Sequence, residues 1–292
     1  MKESYEKISP TAKFVAYLRS FTDIPYAKEI ADVSDAKKAF DELAGESKES
    51  LIRFSPYWEA RYKATNRIIM REGVTQILEV AAGLSPRGIA MTEKSDVTYV
   101  VTDLPQILDQ EKTITEAILS KLNCRRPNLH FEVANALDRE SLSKSLSAFT
   151  FDRPVAIITE GLLPYFNREE KTVLANNIHE VLNKYHGVWI ASDLPTRQYR
   201  DAANRLDASM RQRHDRIARS TGSNLESNLF ADENDLRGFF ESAGFQIEEY
   251  QYSNLVRDLS SIRLLNRSQE DAKRALELVA ASKTLILTAK SH

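Results

Sequence analysis

Apolar positions along this chain change period in a regular way from residue 76 onward. Short, nearly continuous apolar runs predict strands near 76–81, 98–102, 129–133, 154–159 and 187–193. Between them, apolar residues at helical spacing predict helices near 86–94, 105–122, 138–147 and 168–184. Strands and helices alternating at this spacing make a parallel sheet with helices on both faces. Residues 196–220 interrupt the alternation with a polar, arginine-rich stretch of helical character. Another helix is expected over 232–243, stopped at Gly244. Two late strands follow, 245–252 and 284–289, separated by a loop and the helical 269–281.

Upstream of the sheet the pattern is helical throughout. Three Ser-Pro pairs punctuate the chain: Ser9-Pro10, Ser55-Pro56 and Ser85-Pro86. Serine can cap the free N–H groups of a helix start, and proline at the first helical position gives up nothing. The first pair opens a segment with Phe14, Tyr17, Leu18 and Phe21 on one face. The second opens 57–71, with Trp58, Tyr62, Ile68 and Ile69. The organisation expected is one domain over 1–292. A helical cap spans 1–72, the sheet-bearing core 73–195 and 244–292, and a helical insert 196–243 lies before the sixth strand.

Composition narrows the class. The 292 residues are 42% hydrophobic and 28% charged, enough for a sizeable core, with a formal net charge of −2. That balance gives no global attraction to nucleic acid. A single cysteine, Cys124, rules out an internal disulfide and a cysteine-based metal cluster. The polar start Met1-Lys2-Glu3-Ser4 is unlike a secretory signal, and no apolar run reaches the length of a membrane span. A soluble, cytoplasmic protein with a small-molecule partner, no metal and no membrane is expected.

Candidate chemistry centres on Ile77-Leu78-Glu79-Val80-Ala81-Ala82-Gly83-Leu84-Ser85-Pro86-Arg87-Gly88. A buried strand feeds a turn of small residues, where a Cβ would hold a ligand off the backbone. The turn after a first strand faces the ligand crevice of an open α/β sheet. A dinucleotide site would read Gly-x-Gly-x-x-Gly. Here Glu79-x-Ala81-x-Gly83-x-Ser85 matches better the acidic-x-Gly-x-Gly-x-Gly turn of S-adenosylmethionine methyltransferases, with Ala and Ser at two glycine positions. Asp103, with Leu104 beside it, ends the second strand. Its carboxylate can accept both hydroxyls of a ribose, through charge-assisted bonds of about 1.5–3 kcal/mol each. The plainer accounts are an ordinary βα turn and a helix cap before Pro105. Asp103 does not separate NAD from S-adenosylmethionine, since both present a ribose diol.

Taken together, Ser9-Pro10-Thr11-Ala12-Lys13-Phe14-Val15-Ala16, Ala60-Arg61-Tyr62, the turn over 79–88, Thr102-Asp103-Leu104-Pro105 and Thr159-Glu160-Gly161-Leu162-Leu163-Pro164-Tyr165-Phe166 resemble the leucine carboxyl methyltransferase family. The bacterial branch, similar to tetracenomycin-type polyketide O-methyltransferases, shows the nearest pattern. The resemblance implies a Rossmann-like class I methyltransferase fold, with a seven-stranded, mostly parallel sheet, and S-adenosyl-L-methionine as cofactor. It implies that Arg61, helped by Lys13, binds the methionine carboxylate. Gly83 with its neighbours Glu79 and Ala81 would line the methionine moiety, Asp103 the ribose, and Asn135-Ala136 the adenine edge. The family usually carries aspartate at the position of Asn135, whose carbonyl can still accept from the adenine amino group. Glu160, ending the apolar fourth strand on the crevice side, would sit beside the amino group and sulfonium. A buried glutamate there needs a cation or hydrogen-bond donors.

Methyl transfer is an in-line displacement, so alignment and exclusion of water are the protein's main tasks. A carboxylate acceptor is already ionised at neutral pH, whereas a phenol profits from a base. Of His130, His179, His186, His214 and His292, only His214, in the insert, is a candidate base. Arg197, Arg200, Arg205, Arg211, Arg213, Arg216 and Arg219 share that insert with Asp201, Asp207 and Asp215, the composition of a solvated helix. Tyr62, Tyr165 and Tyr199 are candidate acceptor-pocket walls. O-methylation of a small-molecule carboxylate, or of a hydroxyl, is the expected activity. An NAD(P)-dependent reductase and a catalytically silent binding protein are the alternatives.

Overall fold

The computed structural model describes residues 10–45, 48–194, 196–206, 225–265 and 268–290. Helices α1 (Pro10–Arg19), α2 (Ala27–Val33), α3 (Ala36–Ala44), α4 (Lys48–Ile52) and α5 (Ser55–Glu72) precede the sheet. Alternation then follows as β1 (Gln76–Val80), α6 (Arg87–Met91), β2 (Thr98–Asp103), α7 (Pro105–Lys121), β3 (Leu129–Val133), α8 (Arg139–Lys144), β4 (Val155–Glu160), α9 (Arg168–Tyr185) and β5 (Gly187–Ser192). After α10 (Arg197–Leu206) come α11 (Glu233–Ser242), β6 (Phe245–Gln251), α12 (Ser260–Leu264), α13 (Gln269–Ala280) and β7 (Lys283–Ala289).

The strands form one seven-stranded sheet in the order β3-β2-β1-β4-β5-β7-β6. The first five pair in parallel, and β7 runs antiparallel to both β5 and β6. Strand order reverses at β1, which pairs β2 on one side and β4 on the other. In open α/β sheets the ligand crevice lies at such a reversal, at the carboxyl ends of the strands. Register decides what meets in it. Val80 is level with Thr102 and with Thr159, so Ala81, Asp103 and Glu160 stand one step further along the same level.

Side-chain alternation splits the core between the two faces. Leu78, Val80, Val100, Ile157, Trp189 and Leu287 pack with Leu174, Ile178 and Phe240 of α9 and α11. Ile77, Tyr99, Val101, Ile158, Ile190 and Ile286 pack with Ile68 and Ile69 of α5 and Leu108 of α7. By the same alternation, Glu79, Asp103 and Glu160 point to the α5 face. The continuous apolar character of the runs follows from burial on both faces.

One expectation needs correction. Neither described Ser-Pro serine is the cap expected of it. Ser55 is already inside α5, after Phe54 as N-cap, and its hydroxyl donates to the Ile52 carbonyl at 2.8 Å. At Ser85-Pro86 the helix starts one residue later, with Pro86 as N-cap and the Ser85 hydroxyl 3.4 Å from the Arg87 amide. In both places the preceding turn already closes on backbone or hydroxyl partners. Between α2 and α3 the chain turns at Ser34-Asp35, where Asp35 takes a left-handed φ of 51°.

Gly187 sets the tightest steric limit, since at φ +110° its Cβ would lie 2.0 Å from the Val155 carbonyl of β4. Gly187→Ala should destabilise the protein by about 4 kcal/mol or more. Gly238, on α11 with nothing within 4 Å of a Cβ, is the control, and its replacement by Ala should stabilise by about 0.5–1 kcal/mol. Chemical denaturation of both variants checks the contrast, and equal midpoints would refute it.

Candidate functional site

The turn leaving β1 is shaped by two left-handed residues, Ala81 at φ 53° and Gly83 at φ 59°. Glycine adopts this conformation freely, whereas Ala81 is strained there. Helix α1 lies against the same point, with the Ala12 Cβ 3.4 Å from where a Gly83 Cβ would stand. The turn is tied to β2 by Ala82, whose amide donates to the Thr102 carbonyl at 3.1 Å. Gly83 donates its amide to Asp103 Oδ2 at 3.1 Å, and Leu104 donates to Oδ1 at 2.8 Å.

Asp103 is buried, and among the described residues no cation pairs with it. Burial pushes its carboxyl up to about 6, against the partial pull of the Leu104 and Gly83 amides. Measured from an unperturbed 3.8, ionisation at neutral pH costs the fold about 3 kcal/mol. That cost is absent below the unperturbed value, grows as pH rises from there and is complete above about 6. Such a carboxylate is short of donors, and a vicinal diol supplies two.

Glu160 has the opposite surroundings. Arg19 and Arg61 both reach Oε1, Arg61 at 3.0 Å, and Arg87 reaches Oε2 at 2.8 Å. Burial opposes its ionisation, but Arg61, Arg19 and Arg87 outweigh it and hold the carboxyl well below its ordinary range. Arg87 is itself fully buried. It reaches Glu79 at 2.5 Å and Asn66 at 2.9 Å, and lies over the Tyr62 ring at 4.6 Å. Glu79 accepts from the Tyr99 hydroxyl at 2.6 Å through its other oxygen. Arg61 also pairs with Asp193, the residue after β5, to which the Tyr57 hydroxyl donates. Its guanidinium stacks on Trp58 at 4.4 Å.

The remaining sequence candidates scatter. Lys13 is half-buried on α1, without an ion pair among the described residues. Leu104 is the N-cap of α7. Asn135 follows β3, its side-chain carbonyl accepting from the Leu137 amide at 3.0 Å, while the Ala136 carbonyl accepts from Asn177 at 3.0 Å. Tyr165 stands in the turn after β4, its hydroxyl 2.9 Å from that of Thr11. Tyr199 pairs with Ser282 at 3.3 Å. Tyr62 is 1% exposed, beneath the arginines, and is not a wall an acceptor can touch. His214, Arg211, Arg213, Arg216 and Arg219 lie outside the described residues. His130 is within β3, His179 meets Phe245 edge-on and His186 precedes β5, so none of these three stands at the carboxyl ends of β1, β4 or β5.

Arg19, Arg87, Asp193, Tyr57 and Asn66 escaped the sequence reading. Asp193 alone had a signal there, since it ends the fifth strand as Asp103 and Glu160 end theirs.

The residues present fit S-adenosylmethionine. Asp103 lacks donors that the ribose has. Arg19 Nε and Arg61 Nε are buried with no acceptor, and a carboxylate would satisfy both.

Residues 13–179 match the leucine carboxyl methyltransferase family. A candidate S-adenosyl-L-methionine-dependent methyltransferase of Mycobacteroides abscessus is 28% identical over 133 residues, 44% of this chain and 41% of that protein. The chain thus spans less than half of that relative's length. A candidate methyltransferase of Thermobifida fusca YX superposes with a TM-score of 0.56 at 17% identity, over 99% of this chain and 97% of that one. A DUF574 family protein of Streptomyces avermitilis MA-4680 gives 0.56 at 15%, over 98% and 100%. These two carry the fold, the Rossmann-like class I methyltransferase arrangement. No helix among the described residues is long and apolar enough to cross a membrane. The cofactor is S-adenosylmethionine, and the reductase alternative loses its footing. With more than half its length matched, the chain belongs to the leucine carboxyl methyltransferase family.

Proposed function

We propose that this protein is an S-adenosylmethionine-dependent O-methyltransferase acting on the carboxylate of a small molecule such as a polyketide-like metabolite, with hydroxyl methylation as the nearest variant. The observation that carries the reading is the meeting, at one level of the sheet, of the Ala81–Gly83 turn, a donor-poor Asp103 and the Glu160–Arg61 pair. Asp103 holds the ribose, Arg61 the methionine carboxylate, Glu160 the ammonium side and Asn135-Ala136 the adenine edge. Glu79 acts at one remove, by fixing Arg87.

The cofactor supplies a methyl carbon activated by positive sulfur. The chain's task is to hold the acceptor oxygen in line with that carbon and to keep water out. The family resemblance puts the acceptor on the side of the helical cap, where Tyr165 meets Thr11 of α1. A carboxylate suits this site because it is ionised without help, and the described histidines stand away from the crevice.

Incubation with methyl-labelled cofactor and a panel of acids and phenols tests the reading. Products from acids should release methanol in mild alkali, as methyl esters do. Alkali-stable products would favour the hydroxyl variant, and no transfer to any member would favour the silent binding protein.

Asp103 gives a second test. S-adenosylhomocysteine should bind with constant affinity above the Asp103 value of about 6. Below it, affinity should fall by about tenfold per pH unit, because a protonated carboxyl cannot accept from both hydroxyls. Asp103→Ala should weaken binding by about tenfold or more and flatten that profile. Calorimetry from mildly acidic to mildly alkaline pH reads both effects. An unchanged dissociation constant in the variant would remove the ribose assignment.

A further inference from the structure

Helix α1 crosses the mouth of the crevice along one of its faces. Thr11 bonds Tyr165 of the turn after β4 at 2.9 Å, Ala12 sits on Gly83, and Arg19 reaches Glu160 at the end of β4. Arg19 is 4% exposed. Its guanidinium shares one Glu160 oxygen with that of Arg61. Two like charges therefore crowd a single acceptor atom, and the Nε–H of each has no acceptor among the described residues. A buried donor left without an acceptor is costly, because it has given up its bond to water. A carboxylate, with two oxygens and a negative charge, could accept from both.

We propose that Arg19 binds the α-carboxylate of the cofactor together with Arg61, so that the cofactor itself fastens α1 over the crevice. The proposal rests on the cofactor reading above and adds a residue to it. S-adenosylmethionine carries no phosphate, and its amino-acid carboxylate is its one anion. The contact of Ala12 with Gly83 sets α1 against the β1 turn, beside which the amino-acid part of the cofactor would lie. Lys13, the helper that the family resemblance implies, stands near the start of the same helix. Arg19 stands at its end, already beside Arg61.

Calorimetry with two ligands separates binding from support. S-adenosylhomocysteine has the amino-acid part, and 5′-methylthioadenosine lacks it. Arg19→Met should weaken the first by about tenfold or more and the second by less than about twofold, with Arg19→Lys recovering part of the loss. In the wild-type protein, S-adenosylhomocysteine should slow amide hydrogen exchange across α1, and 5′-methylthioadenosine should not. Equal losses for both ligands, or no loss for S-adenosylhomocysteine, would overturn the proposal while leaving the cofactor reading intact. If wild-type protein binds neither ligand, the cofactor reading falls with it. Should Arg19→Met not fold, the wild-type exchange pattern decides alone, and equal protection by both ligands overturns the proposal.

Discussion

Arg87 is the interaction on which the site's geometry depends. Its guanidinium, fully buried, joins Glu79 of β1 to Glu160 of β4, donates to the side-chain amide oxygen of Asn66 on α5 and rests on Tyr62. A buried charge is tolerable only with partners on several sides, and removing one partner strands the others at a cost of about 3–5 kcal/mol. Arg87 therefore acts as a spacer of fixed size between two strands and two helices. It sets where Glu160 stands, and Glu160 in turn sets where Arg19 and Arg61 stand.

Two carboxylates a few residues from the same crevice are driven to opposite extremes by this arrangement. Glu160 is locked in its ionised form by three guanidiniums, ready to face a cation. Asp103 has only two backbone amides and titrates close to neutrality, and it gains most from hydroxyl donors. The first is built from charge and the second from a deficit of hydrogen bonds. Glu160 already has its cations, so the unmet demand at this level of the sheet is the one for donors at Asp103.

Much of this was legible in the sequence because strands and their ends obey local rules. Apolar runs located each of the seven strands to within a residue or two, and a carboxylate at a strand end in an open α/β sheet marked Asp103 and Glu160. The same rule applied to β5 would have found Asp193. Arg19 and Arg87 were not legible, because their partner Glu160 lies 141 and 73 residues away and no local pattern encodes that meeting. Asn66 and Tyr57 look like ordinary helix residues for the same reason. The Ser-Pro pairs misled by a single residue, since a serine hydroxyl finds a preceding carbonyl as readily as a following amide. What face each strand-end carboxylate occupies was also implicit. Alternation with Ile77, Val101 and Ile158 puts Glu79, Asp103 and Glu160 on the α5 side, where Arg61 waits.

The placement of β7 has a consequence for how the chain reaches this structure. It follows β6 in sequence yet lies between β5 and β6, and among the described residues β6 has no other strand partner. During synthesis β5, with Trp189 and Ile190 on it, remains an open sheet edge until β7 has emerged and docked. Such an edge is a template for pairing with other chains. The strands that carry the crevice, β1, β2 and β4, can assemble beforehand. Chains interrupted before β7 should thus hold a nearly complete crevice on a sheet that is sticky at one side, and ribosome-associated chaperones would meet their greatest demand in that interval.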